Sequence, residues 1–163
     1  MRAPVWIVIG VALVGSARAD SLWEAELRAG YGVAMSSTEG TMTARSSPLT
    51  LEATGSLAIN EEPSVSAVAG VVVETLNRSG VGAVFGARLD TGPIRLSGGG
   101  TWIFAPDTLW GAQVSVGACH RMARTTSICG DLQLATFFAG TDLAKDHTVT
   151  EIQLGFGVAF DAP

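Results

Sequence analysis

The sequence predicts an all-β chain: an eight-stranded antiparallel up-and-down β-barrel that crosses a membrane. Three observations predict it. Apolar residues alternate with polar or small ones at period two through eight separate segments, the mark of strands whose two faces meet different surroundings. Charged residues make up 15% of the chain, against roughly 25% in soluble domains, so something other than water must cover part of the surface. Beyond residue 19 no apolar run approaches the roughly 20 residues a spanning helix needs, so a crossing must be made by a closed sheet whose backbone groups pair between strands.

The first segment puts Trp23, Ala25, Leu27, Ala29, Tyr31, Val33 and Met35 on one face and Glu24, Glu26, Arg28, Gly30 and Gly32 on the other. The second, residues 49–59, turns Leu49, Leu51, Ala53, Leu57 and Ile59 outward and Thr50, Glu52, Thr54 and Ser56 inward, and residues 60–63 make a tight turn. The third, residues 64–74, is the least regular, because Val68 and Val72 join Ser66, Gly70 and Glu74 on the inward face. The fourth, residues 81–89, sets Val81, Ala83, Phe85, Ala87 and Leu89 against Gly82, Val84, Gly86 and Arg88, before the turn Asp90-Thr91-Gly92-Pro93. The fifth has Ile94, Leu96, Trp102 and Phe104 outward and Arg95, Ser97, Gly99 and Thr101 inward. The sixth has Trp110, Ala112, Val114, Val116 and Ala118 outward, with Gly111, Gln113, Ser115, Gly117 and Cys119 inward. The seventh pairs outward Ile128, Leu132, Leu134 and Phe138 with inward Cys129, Asp131, Gln133 and Ala135. The eighth, residues 151–160, is the cleanest, with Ile152, Leu154, Phe156, Val158 and Phe160 alternating with polar or small residues.

That last segment resembles the C-terminal insertion signal of bacterial outer-membrane proteins, with Gln153, Gly155, Val158 and Phe160 in its four defined slots. It departs in ending on Asp161-Ala162-Pro163, read here as a short tail. At the other end, Arg2, the apolar run of residues 5–14 and the small-x-small site Ala17-Arg18-Ala19 form a secretory signal peptide over residues 1–19, leaving residues 20–163 as one barrel domain. With both ends in the periplasm, residues 36–48, 75–80, 105–108 and 140–147 are outer loops. Trp23 and Phe160 then stand at the inner rim and Trp102, Phe104, Trp110 and Phe138 at the outer rim, as two interfacial girdles. A soluble barrel of the lipocalin kind would need the opposite sidedness, apolar inside and charged outside.

The inward charges Glu24, Glu26, Arg88, Arg95, Arg121 and Asp131 all fall near periplasmic ends, so acids and bases are expected to meet at one depth, with Glu26 or Asp131 neutralising the neighbouring Arg88 and Arg95. They form either a gated pore or a plug, and an eight-stranded barrel, just wide enough for side chains to fill, favours the plug. Cys119 and Cys129 fall opposite one another about a turn centred on Arg124, where an oxidising periplasm permits a disulfide, with free thiols as the alternative.

Catalysis would need a nucleophile, a base and an orienting acid close together. His147 with Thr148, Thr150 and Glu151 faintly resembles the set of lipid A deacylases, but the His-x-Ser of that family is missing, and His120 belongs to the inner rim. No metal-ligand, phosphate-loop or haem motif stands out, so neither enzyme activity nor a cofactor is expected. Asn77-Arg78-Ser79 spells a glycosylation sequon, a three-residue match of little weight beside a closing strand that resembles a bacterial insertion signal. The net charge of −5 argues against a nucleic-acid partner.

Across residues 22–160 the chain resembles the small eight-stranded outer-membrane barrels typified by the OmpA membrane domain and OmpX. The resemblance implies a monomer in the outer membrane, in contact with its lipid and lipopolysaccharide, and delivery by periplasmic chaperones and the barrel-assembly machinery. It implies a structural or surface-interaction role around a polar, plugged lumen. A narrow pore and a lipid A modifying enzyme are the alternatives.

Overall fold

The computed structural model describes residues 23–38, 41–60, 64–141, 143 and 147–161, so the signal peptide read at residues 1–19 lies outside the described residues. Nine strands follow in chain order: β1 (Trp23–Thr38), β2 (Thr41–Ser46), β3 (Leu49–Asn60), β4 (Ser64–Thr75), β5 (Gly80–Thr91), β6 (Ile94–Ala105), β7 (Leu109–Ala123), β8 (Thr126–Gly140) and β9 (Thr148–Asp161). All pairings are antiparallel, and β9 returns to β1 in a ladder running from Glu24↔Asp161 to Ser37↔Thr148. That closure leaves the barrel sheet without edges at membrane depth, as a spanning sheet requires.

Nine strands make eight walls because β2 and β3 share one. β3 pairs with the lower half of β1, from Trp23↔Leu57 to Gly30↔Thr50, and β2 with its upper half, from Val33↔Ser46 to Thr38↔Thr41. The wall breaks at Ser47-Pro48, where proline has no N–H to give the ladder. Ser47 bridges the break: its N–H donates to the Gly32 carbonyl and its Oγ accepts from the Gly32 N–H at 2.8 Å. Asn77 on the β4–β5 connection closes it from outside, donating through Nδ2 to the carbonyls of Ser46 and Ser47. Residues 36–48, expected as an outer loop, are therefore mostly a hairpin extension of β1. Their Thr- and Ser-rich alternation continues a strand beyond the apolar band.

The outward face is the apolar one. Leu27, Tyr31, Leu51, Val71, Phe85, Leu96, Val114, Leu132, Leu154 and Phe156 are all exposed, a continuous band far larger than a soluble surface carries and suited to lipid. At its outer end Trp102 stacks on its cross-strand partner Trp110 at 4.7 Å, and Phe104 meets Trp102 edge-on. Some glycines stand on the outward face. Gly55, Gly100 and Gly130 face outward, and the rings of Trp23, Phe85 and Phe156 lie over them, filling the gaps that missing side chains leave in the lipid face.

β7 and β8 run long, joined by a tight turn at Arg124-Thr125. The turn is centred where the sequence reading put it, and Arg121 belongs to the strand. Asp90, read as a turn residue, is likewise the inward-facing penultimate residue of β5; the turn is made by Gly92, whose φ of +56° suits glycine, and Pro93.

Candidate functional site

The alternation that turns apolar residues outward leaves the lumen to the other half of each strand. Its contents form layers. At the end where β1 begins and β9 ends, Arg95 on β6 donates from Nη1 to Glu26 (2.6 Å), from Nη2 to Glu24 (3.0 Å) and from Nε to Asp90 (3.1 Å). Arg88 on β5 reaches Glu24 (2.7 Å) and Asp90 (3.2 Å) and donates to Ser56 Oγ (2.8 Å). Two guanidiniums thus share three carboxylates in a buried, hydrogen-bonded network, the arrangement in which charge-assisted bonds offset desolvation. The register places Arg95 opposite Asp90 and Arg88 opposite Ser97, so the two arginines lie diagonally and Asp90 bridges them.

One layer further in, Arg28 on β1 grips Asp131 with Nε and Nη2 (2.8 and 2.6 Å) and reaches Glu52 with Nη1 (3.3 Å). The guanidinium lies on Gly30 and Gly155, where a Cβ would collide with it. Above it Thr101 and Gln133 both donate to Gln113 Oε1, Ser97 meets Ser115 at 2.7 Å, and Thr50 donates to Gln153 Oε1 (2.9 Å).

The outer end is different in kind. Ala34, Val72, Val84, Ile103, Leu109, Ala135, Phe137 and Val149 form one buried apolar cluster, with Leu143 packed against it. They come from seven of the eight walls. Beside them Arg78 is held by both oxygens of Glu74, reaches Glu151 (3.3 Å), and lies 4.9 Å over the Phe137 ring.

The six predicted lumen charges are therefore not one network. Glu24, Glu26, Arg88 and Arg95 come together, but Asp131 pairs with Arg28 in the next layer, and Arg121 reaches Asp161 at the rim. Asp131 lies in the same cross-strand row as Arg95 but two strands away, with Gly117 between them, and both its oxygens are taken by Arg28. Arg28, Glu52 and Asp90, all on alternation-coded inward positions, complete the clusters, and a count of every inward charge would have found the first two. Asp161, read as part of a tail, is the last residue of β9. Within the insertion signal, Gln153 and Gly155 face the lumen and Phe160 is exposed on the outer face. The lumen is polar through its lower part, and its roof combines the apolar cluster with the buried ion pairs of Arg78, Glu74 and Glu151.

Cys119 and Cys129 face each other across β7 and β8 and are joined by a disulfide, with Arg95 Nη1 3.6 Å from Cys129 Sγ. Replacing both by serine is expected to lower stability by about 2–3 kcal/mol while leaving the barrel able to close, because a ten-residue separation closes only a small loop. Urea unfolding in lipid vesicles with and without dithiothreitol reads this; coincident midpoints would remove any stabilising role for the bond.

Of the residues weighed for catalysis, Glu151 has one oxygen on Arg78 and the other on Gln153 Nε2, and Thr150 meets Thr136. His120 is exposed on the outer face of β7. Among the described residues no three His, Cys, Asp or Glu side chains are grouped to hold a metal ion.

A closed antiparallel barrel of eight walls, apolar outside and filled inside, is the geometry shared with Neisserial surface protein A (NspA), which superposes with a TM-score of 0.53 over 87% of this chain and 98% of that one, at 14% identity. The chain has the fold of the small eight-stranded outer-membrane barrels. Ail, the attachment invasion locus protein of Yersinia pestis, aligns over 84% of this chain and 98% of that one at 13% identity, with a TM-score of 0.48. No family model matches this sequence, and no curated protein matches it.

Proposed function

We propose that this chain is an integral outer-membrane barrel with a closed lumen and a structural or surface-interaction role, neither a transport pore nor an enzyme. The observation that carries the reading is the occupied cross-section: ion pairs span the lower lumen and apolar side chains from seven walls meet above them. An eight-stranded barrel leaves no further width for an aqueous path. The fold it shares with a Neisserial surface protein supports the placement. On this reading residues 1–19 direct export, chaperones and the barrel-assembly machinery take up the signal that includes Gln153, Gly155, Val158 and Phe160, and the monomer sits in outer-membrane lipid and lipopolysaccharide.

The test is expression of the whole chain in a Gram-negative host, followed by membrane fractionation, gel mobility with and without heating, and planar-bilayer recording in potassium chloride. A heat-sensitive band in the outer-membrane fraction and a flat current trace are expected. Steady single-channel steps from the wild-type protein would replace the closed barrel with a pore, and lipid A altered in mass by its expression would replace it with an enzyme.

A further inference from the structure

The wall that β2 and β3 share leaves one strand edge open. β2 is laddered to β1 on one side, and β1 is itself covered on its far side by β9 up to Ser37↔Thr148. On the other side of β2 the wall runs out, because β4, the neighbour of β3, ends at Thr75. Among the described residues it is Asn77, just past that end, that reaches across to β2.

Two bonds fix the direction of the free backbone groups. The Ser47 N–H donates to the Gly32 carbonyl of β1, whereas the Ser46 carbonyl accepts from Asn77 Nδ2 on the opposite side. Backbone groups alternate in direction along an antiparallel strand, so Ala44 and Met42 turn their N–H and C=O as Ser46 does, away from β1. Residues 42–46 are all exposed. Such an edge is a template for another chain, and proteins ordinarily blunt it with proline, charge or a covering segment. In β2, Thr41-Met42-Thr43-Ala44-Arg45-Ser46, proline comes only beyond the end, at Pro48. The one charge, Arg45, shares a face with its fully buried partner Ala34, hence with Thr43 on the side of the barrel mouth. Met42 and Ala44 stand on the opposite face, where Met42 is 70% exposed. The lower end of the edge is already in use: the primary amide of Asn77 donates to Ser46 as the amide of an added strand would.

We propose that the open edge of β2 docks an extended polypeptide segment, which joins it as a further strand with a carboxylate opposite Arg45 and an aliphatic side chain opposite Met42. Main-chain bonds supply the attachment and the alternate side chains the selectivity. The inference rests on the surface-interaction reading, under which this edge stands outside the cell, and it names the surface and the class of partner. A second copy of this chain fits less well. Adding β2 to β2 in antiparallel fashion turns one barrel upside down relative to the other, which a shared membrane forbids, and β2 has no carboxylate to offer Arg45.

The experiment uses the mature chain refolded in lipid nanodiscs, with closure checked by heat-dependent gel mobility and amide hydrogen exchange read by NMR. The probe is the synthetic peptide Thr-Val-Glu-Val-Thr-Val. At saturation it is expected to slow exchange of the Met42 and Ala44 amides about tenfold and to leave those of Thr43 and Arg45, already bonded to β1, unchanged. Lysine in place of its glutamate should weaken binding, and methylation of its backbone nitrogens should abolish it. Met42→Pro combined with Ala44→Pro should also abolish it while the ladder to β1 persists, because the N–H groups lost are the two that point away. No slowing at Met42 and Ala44, or binding that survives methylation of the peptide, would overturn the proposal. Should the proline pair fail to close, the methylated peptide decides. Slowing at the same amides in apposed vesicles without peptide would assign the edge to a second copy and overturn it as well. Channel steps from the wild-type protein would instead defeat the closed-barrel reading, and they do not depend on this edge.

Discussion

Replacing Arg95 by alanine is expected to destabilise the barrel by about 3–5 kcal/mol, the cost of leaving a buried charge network without its partner. Arg95 touches Glu24, Glu26 and Asp90 at once, and with it gone three carboxylates in a narrow lumen retain Arg88 as their nearest cation. Repulsion and lost hydrogen bonds then act together. Arg45, an exposed residue on β2, is the contrast, and Arg45→Ala should leave the unfolding midpoint where it is. Urea titrations in lipid vesicles followed by tryptophan fluorescence compare the two. Equal midpoints for Arg95→Ala and wild type would mean that the lower network contributes packing alone.

Gly99→Ala is expected to cost about 1–3 kcal/mol or to impair closure of the β5–β6 ladder, because extra volume has nowhere to go in a fully packed contact. Gly99 faces Gly86 across that ladder. A Cβ at Gly99 would overlap the Phe85 carbonyl and stand 2.7 Å from the Gly86 Cα, so backbone rather than a flexible side chain would have to yield. Gly98, one residue away, faces lipid, and its Cβ would meet Val114 at an ordinary 3.7 Å. Gly98→Ala should accordingly be neutral or slightly stabilising, since alanine loses less backbone freedom than glycine on folding. If the adjacent variants shifted the urea midpoint equally, the inward approach of β5 and β6 would not be the constraint described.

Most of the barrel was legible because period two is a local code. Each residue's face follows from its parity within the strand, and Trp102, Gln113, Leu132 and Gly155 all stand on the side that parity assigns. Even the irregular valines of β4 were read in the right direction: Val72 is buried in the lumen, and what looked like noise in the pattern is its share of the roof. The cysteines were legible for a related reason, since a tight antiparallel turn pairs residues symmetrically about its centre.

What was not legible depends on shear and on side-chain reach. Whether Asp131 meets Arg95 or Arg28 is decided by the stagger between β1, β8 and β6, and that stagger is set by closure of the whole sheet. The roof is hidden for a similar reason: Ala34, Val84, Ile103, Leu109 and Phe137 are single apolar residues scattered over five strands, and no one strand shows the layer they form. The bulge beside Phe138, where Gly111 pairs with Phe137 and Trp110 with Ala139, was not legible either, because it belongs to the pairing of two strands and not to either strand alone.

The sequence by itself thus determined the number of barrel walls, sidedness, the resemblance of its closing strand to an insertion signal and which side chains enter the lumen, because all of these follow from alternation and short spacing along one strand. Only the tertiary structure decided which charges pair, that a hairpin replaces the first outer loop, and that an apolar cluster gathers at the outer end of the lumen above the charged layers. Those properties belong to depth within a closed, sheared sheet, and depth is fixed only when the first strand meets the last.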